Sequence, residues 1–523
     1  MLNNANALVG SGGNFVLRAN GAATAWNHDT SSWTSTNIPG ITDVVGSGGN
    51  FAILGNDAAT AWNHDTSSWT STSLLIAAGL VGSGGNFALR GNDAVRAWNH
   101  ATSTWTNTIF SGASGIVGSA GNFAVMGEGD RAATAWNQDS SSWTTTTIFG
   151  ATGLMGSAGN FALLGEDAAA AWNRETSTWT STSLTSAGGL VGSAGNFAVR
   201  SNSAVRAWNE ATSTWTNTNF SGGGIVGSAG SFALHSTNAA TAWNQDTSTW
   251  TNTNLAGATG LVGSGGNFAL RGNTSATAWN HETSSWTSTA LTDATDIVGS
   301  GGNFAVINFV LGDETATAWN HATSMWTGTS LSTGGGLVGS GGNFAVRGNN
   351  AVRAWNHETS NWTNANFSAT GSIVGSGGNF ALLGNNSATA WNHATSSWTN
   401  TNLIGATGLV GSGGNFALLG NNAATAWNQE TSSWSSTTVT GATDLVGSGG
   451  NFALLGDDVA MAWNQETSSW SSTSLSGASQ IVASGLDFFA RALNSVAVWS
   501  HETSAWTSIS LSGVNQLVGG TSP

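Results

Sequence analysis

A single motif is written fourteen times along this 523-residue chain, and that repetition constrains the fold more than any other feature. Each copy opens on Val-Gly-Ser-Gly/Ala-Gly-Asn-Phe or a close variant. The copies start at Val9, Val45, Val81, Val117, Met155, Val191, Val226, Val262, Val298, Val338, Val374, Val410, Val446 and Val482, mostly 36 residues apart. Small insertions follow Met126 in the fourth copy and Val306 in the ninth, where the extra residues run from Asn308 to Gly312. A fragment, Leu517-Val518-Gly519-Gly520, begins a fifteenth copy. A period of this length marks an array in which each repeat is one supersecondary unit, stable only when stacked on its neighbours.

The second copy shows the unit. Val44-Val45 is a short apolar run, and Gly46-Ser47-Gly48-Gly49 has turn chemistry. Asn50 to Leu54 is a second apolar run, Gly55-Asn56-Asp57 a turn, and Ala58 to Trp62 a third run. Asn63 to Ser67 is polar, and Ser68 to Leu74 is a last extended stretch with Trp69 between small hydroxyls. Runs this short, with glycine every ten residues or so and Thr and Ser between apolar positions, exclude helix and predict strands. Four strands of about five residues joined by short turns use up the repeat. The expected fold is all-β: fourteen four-stranded antiparallel blades, stacked as in a β-propeller so that Trp-rich faces are buried between sheets. A β-solenoid is the runner-up, since its coils are usually shorter and need no pair of large aromatics in hairpin register.

Composition supports a folded, acidic, weakly charged chain. It is 39% hydrophobic and only 7% charged, with 28 Trp, 73 Gly, no Cys and a net charge of -15. All eleven basic residues are Arg. Phosphate recognition needs clustered positive charge, so nucleic acid is not an expected partner, nor is an anionic lipid surface. Without cysteine there is no disulfide, zinc-thiolate site or thiol nucleophile. No apolar run approaches a membrane span, and the start, Met-Leu-Asn-Asn-Ala-Asn-Ala, lacks the basic and apolar regions of a secretory signal. The expectation is no membrane insertion, with a location in the cytoplasm or release by an unconventional route. Oligomeric state is left open.

Repeats seven apart resemble each other. Repeat three reads Ala94-Val95-Arg96-Ala97-Trp98-Asn99-His100 and repeat ten reads Ala351-Val352-Arg353-Ala354-Trp355-Asn356-His357. Repeats one and eight also match from Trp26 and from Trp279. This predicts two seven-bladed propellers, residues 1–261 and 262–523. One fourteen-bladed ring is the alternative, because the junction at Gly260-Leu261-Val262 has no linker.

At Trp-Asn-His-Asp-Thr-Ser-Ser-Trp the chain resembles the kelch repeat. Trp62, Asn63, Thr66 and Trp69 fall on that family's aromatic, Asp, Thr and Trp positions. Asn stands in place of Asp, the family's proline is missing, and Gly48-Gly49 precedes Phe51 instead of following that strand. The resemblance implies a propeller. Propellers serve as binding proteins, lectins and enzymes alike, so it implies no single function.

Three sets of residues are candidates for ligand contact. The first Trp of each repeat, such as Trp62, Trp98 and Trp355, could stack on sugar rings, or could simply pack blade on blade. The loop after it carries Asn63 and then His64, with His100 and His357 at the same place in other copies. This second position is His in eight repeats and Gln in four, an exchange that argues against metal binding or proton transfer. Asn63 and Thr66 fit an Asx-type turn better. The Arg pairs Arg90/Arg96, Arg200/Arg206 and Arg347/Arg353 straddle a hairpin and could read a carboxylate or sulfate, or pair with local acids such as Asp93. No catalytic constellation stands out, and little breaks the repeat symmetry beyond the Arg pairs, the insertion and the divergent last copy with Phe488-Phe489 and Arg491. The expected function is therefore non-enzymatic and cofactor-free, with no metal. It is multivalent carbohydrate binding at repeated shallow sites between blades, with a kelch-like protein-interaction scaffold as the alternative.

Overall fold

In a computed structural model of the chain, residues 7–19, 21–74, 76–127, 132–310, 313–331, 334–367, 369–384 and 386–510 are described. The fifteenth-copy fragment, the first six residues and parts of both insertions lie outside them. Every repeat forms one four-stranded antiparallel sheet in simple up-and-down order, giving fourteen blades. In blade 2 the strands are Asp43–Ser47, Asn50–Leu54, Ala58–Asn63 and Ser68–Ser73.

The period-two alternation gives each blade two chemically different faces. Phe51 is in register with Trp62, and Trp62 with Trp69, so these three share one face, the aromatic face. Ala52 is in register with Ala61 and Leu54 with Ala59, so the alanines line the opposite face. The two faces are complementary. The alanine face of blade 2 (Ala52, Leu54, Ala59, Ala61) packs against Leu80, Phe87, Leu89 and Trp98 of blade 3. Ala88 and Ala97 of blade 3 then receive Phe123 and Trp136 of blade 4. Large against small lets the sheets interdigitate without voids, and Phe87 and Trp98 are fully buried, their ring centroids 5.7 Å apart. Burying one such side chain stabilises the fold by roughly 1.5–3 kcal/mol.

The first strands approach most closely. A Cβ on Gly48, whose φ is +52°, would lie 2.8 Å from the Cα of Gly85 in the next blade. The first-strand turns of neighbouring blades therefore touch backbone to backbone.

The chain divides into two compact units, Met1–Asn254 and Leu255–Pro523. The first holds blades 1–7 and the second blades 8–14. The division falls at the end of a fourth strand, ahead of the expected boundary at 261/262. Leu255, next in sequence, is buried, with 3% of its surface exposed.

Candidate functional site

An up-and-down sheet places its first and third turns at one end and its second turn at the other. The candidate residues are thereby split between two rims. Asn63, His64, His100 and His357 lie in third turns. Arg90 ends its second strand and Arg347 is next to last in its own, both beside the second turn. The loop and arginine candidates therefore do not form one site.

The rim of first and third turns is built to hold one blade to the next. In blade 2, Asn50 Nδ2 donates to the Gly85 carbonyl of blade 3 at 3.0 Å, and Gly85 N–H donates back to Ser47 Oγ at 3.1 Å. Asn63 Nδ2 donates to the His100 carbonyl at 2.6 Å and to Ser103 Oγ at 2.8 Å, both in blade 3. Its Oδ1 accepts from Asp65 N–H at 2.8 Å, the expected Asx turn. So Asn63 closes its own turn with one end of its amide and grips the next blade with the other. It is 2% exposed and offers nothing to a ligand. Ser103, which receives that grip, sits at φ +54°, and its counterpart is left-handed in all fourteen repeats. A left-handed non-glycine residue costs about 1–2 kcal/mol, here offset by the bond across the blades.

His64 is tied in the same way. Its backbone N–H and its Nδ1 both lie 2.9 Å from Asn50 Oδ1, and its Nε2 lies 3.0 Å from Asp65. His100 and His357 repeat the contacts to Asn86 and Asn343. Gln fits the position because Gln138 Oε1 accepts from Asn86 Nδ2 at 3.0 Å. Burial lowers the pKa of His357, with His393 and His321 adding to the fall against a smaller pull upward from Glu358. Among the described residues no group of His, Asp or Glu could hold a metal ion.

The aromatic candidates are corrected outright. Trp62, Trp98 and Trp355 are 0% exposed. Their indole N–H groups donate to Thr34, Thr70 and Thr327 Oγ1 of the preceding blade at 2.8–2.9 Å. An indole sealed between sheets has no face for a sugar. The second Trp is half-buried in most repeats, and several reach back, as Trp105 does to the Thr70 carbonyl at 3.1 Å, whereas the indole N–H groups of Trp69, Trp143 and Trp398 are buried without a partner. The aromatic face of blade 1 is less covered, and Trp33 there is 47% exposed.

The arginine pairs separate as well. Arg90 is in register with Val95, so the next residue, Arg96, projects from the opposite face. Arg90 reaches forward and donates to the Ala113 carbonyl of blade 4, and Arg347 does the same to Gly371 of blade 11. These arginines bind the backbone that links blades and are not free to read an anion. Arg96 and Arg353 differ: each has a buried Nε with no hydrogen-bond partner, as has Arg206. Arg96 lines a cleft of about 500 Å³ between blades 2 and 3, with Asp57, Ser73, Leu74, Asp93 and Ala94. A cleft between blades 8 and 9, about 540 Å³, has instead Asn308, Thr315, Thr317 and Thr329. The clefts on this side are thus chemically different from one another, whereas the opposite rim repeats the same asparagine grips at most blades. Asp57 and Leu74 were missed as site residues. The available signal was positional: Asp57 and Asp93 hold the same place in successive second turns.

No family model matches the chain, and no curated protein matches it. Among solved structures, the chain is similar to PorZ, a bacterial surface component of the type-IX secretion system of Porphyromonas gingivalis. The identity is 10%, the TM-score 0.21, and the match covers 97% of this chain and 81% of that one. It is also similar to Hsv2p of Kluyveromyces lactis, at 11% identity and TM-score 0.24, over 48% of this chain and 97% of that one. Superpositions of this quality carry no argument about function, which rests on the geometry above.

Proposed function

We propose that the chain is a non-catalytic binding scaffold whose ligand is a polyhydroxylated molecule, a carbohydrate, held in clefts between blades at the second-turn rim. The observation that carries this reading is the Arg96 cleft. It has the volume of a small-ligand site and is lined by the Arg96 guanidinium together with the carboxylates of Asp57 and Asp93. Vicinal hydroxyls can accept from the first and donate to the second. Leu74 supplies an apolar wall, so recognition is by hydrogen bonding instead of stacking on Trp.

The uniformity of the repeats lends no weight to fourteen equal sites, because the uniform residues are occupied in holding blades together. The arginines at this third-strand position occur at Arg96, Arg206 and Arg353, so the reading is of a few sites on one scaffold, gaining by effective concentration. A protein partner is the second reading, favoured by the same non-repeating chemistry of this rim. Titration calorimetry against a panel of neutral and acidic oligosaccharides tests the first. Binding that is lost in Arg96→Ala and retained in Arg90→Ala is the expected result. No heat with any saccharide at millimolar concentration, together with a stoichiometric protein partner lost on Arg96→Ala, would replace it with the second.

A further inference from the structure

Blade 9 departs from the other blades twice, and both departures meet in the cleft it forms with blade 8. The first is Gly328 in its fourth strand. At the equivalent position the thirteen other copies carry Ser, Thr or Asn, as at Ser71, Asn107 and Thr145. The second is the insertion. It lengthens the hairpin of the second and third strands, Asn303–Val310 and Asp313–Asn320, and brings Asn308 into register with Thr315. Thr317 is the register partner of Gly328. Strand alternation puts Asn308, Thr315, Thr317 and Gly328 on one face, that of Phe304 and Trp319, which packs against Ala276 and Ala278 of blade 8.

Gly328 leaves a hydroxyl without a partner. Eight copies carry threonine at the Thr317 position. In five of them the hydroxyl pairs with that of the fourth-strand residue opposite at 2.6–3.1 Å, as Thr60 does with Ser71. In two, where asparagine stands opposite, Thr241 and Thr389 donate to a fourth-strand carbonyl. Among the described residues Thr317 alone has no such bond, although it is only 6% exposed. A Cβ added at Gly328 would find Thr317 Oγ1 as its nearest neighbour, at 3.5 Å. The hydroxyl thus faces the space that a side chain fills in every other blade. Asn308 is in a like state. Its Oδ1 accepts from the Thr315 hydroxyl, its Nδ2 has no partner among the described residues, and it is 4% exposed. Buried polar groups are ordinarily paired, so two unpaired ones in one cleft mark a place where another molecule completes the bonds.

From this we infer that the cleft between blades 8 and 9 binds an uncharged hexose through its exocyclic hydroxymethyl group, seated at Gly328. What Gly328 lacks relative to Ser71 is a hydroxymethyl, and a hexose carries that group as the arm on its ring. Seated there, the arm's oxygen takes the place of the serine Oγ and pairs with Thr317, while a ring hydroxyl accepts from Asn308 Nδ2. The cleft measures about 540 Å³, within the range of small-ligand sites. None of its lining residues is charged, and Leu291 supplies an apolar wall. A sugar acid would give up the hydration of its carboxylate here with no cation to meet it, so the site selects neutral sugars. It shares a ligand class with the reading proposed for the Arg96 cleft but no residue of it, and either can fail alone.

The test uses the full chain. The probes are the methyl glycosides of glucose, galactose and mannose, with their 6-deoxy counterparts, which lack only the hydroxyl of the arm. Ligand-observed NMR gives affinity, and hydrogen exchange of peptides covering residues 315–317 and 326–330 gives the place. At millimolar concentration at least one hexoside is expected to slow exchange there, and its 6-deoxy form to bind about tenfold more weakly. Gly328→Ser restores the hydroxyl pair of blade 2, and its Cβ meets Thr317 at an ordinary contact distance. It is expected to keep the fold and abolish the protection. Thr317→Val should weaken binding as the 6-deoxy sugar does, and Arg96→Ala should leave it unchanged. The inference is overturned by no protection with any hexoside, by equal binding of the 6-deoxy sugar, or by protection that survives Gly328→Ser or is undiminished in Thr317→Val. Binding lost in Arg96→Ala and kept in Gly328→Ser places the sugar in the Arg96 cleft alone and refutes this site.

Discussion

Replacing Asn63 by Asp separates the two jobs assigned to this side chain. Aspartate closes an Asx turn as well as asparagine does, so the bond from Asp65 N–H to Oδ1 survives. The grip on the His100 carbonyl at 2.6 Å does not, because the group facing it becomes an acceptor, whereas Ser103, now 2.8 Å from that group, can turn its hydroxyl to donate instead. The lost bond costs about 1 kcal/mol, and a buried polar group turned against a carbonyl adds about 1–3 kcal/mol. The sum, roughly 2–4 kcal/mol, acts on the blade 2–blade 3 junction. A long array need not unfold in one step, so the assay is native-state hydrogen exchange on peptides covering Asn63–Ser68 and His100–Trp105. Their protection is expected to fall by about two to three orders of magnitude at neutral pH. Acid should relieve the defect. The junction favours the protonated carboxyl, which can donate, so the folded-state pKa at position 63 lies above the unfolded one. The native state then holds more protons than the unfolded chain, and stability falls as pH rises through that range. Exchange in Asn63→Asp equal to that of the parent at neutral pH would refute the grip and leave only a turn.

Other outcomes follow from neighbouring contacts. Trp98→Ala empties the seat on Ala52 and Ala61 and orphans Thr70 Oγ1; it is expected to cost about 3–5 kcal/mol, read as a lower urea midpoint. Arg90→Ala and Arg96→Ala should diverge: the first loses a charged bond to Ala113, worth about 1.5–3 kcal/mol, whereas the second removes an unpartnered donor and leaves the melting temperature unchanged or higher. His357 has a folded pKa below its ordinary 6.5, so the stability it contributes is present above pH 6.5 and is lost as pH falls through the lower folded value. Exchange protection around residues 356–362 should therefore weaken on acidification in the parent and less so in His357→Gln, and equal pH profiles would remove His357 as the cause.

The blade was legible because its signals are local. Glycine-rich turns, runs of five or six residues and a Trp pair in hairpin register mark the four strands of blade 2 within a residue or two. The alternation left Trp62 open to two readings, sugar stacking or blade packing, and only the neighbouring blade, whose Thr34 Oγ1 takes its indole N–H, decides for packing. The site was less legible because its logic runs between repeats. Asn63 looks like a turn residue when read within its own loop, and half of its role becomes visible only with Ser103 of the next blade beside it. Arg90 and Arg96 look like a pair in the one-dimensional string. Cross-strand register, with Arg90 opposite Val95, puts them on opposite faces. The Arg96 cleft takes residues from two repeats, Asp57 from one and Asp93 from the next, and no motif within either repeat announces it.

The matched faces have a consequence for how such a chain can change over generations. Within each unit the alanine seat, the Trp pair and the paired amides recur at most junctions, so those junctions do not encode which blade follows which. A genetic duplication or deletion of one whole repeat, mostly 36 codons, would remake a junction of the same kind wherever it fell inside a unit. Repeat number is therefore free to drift by unequal recombination with little penalty in folding.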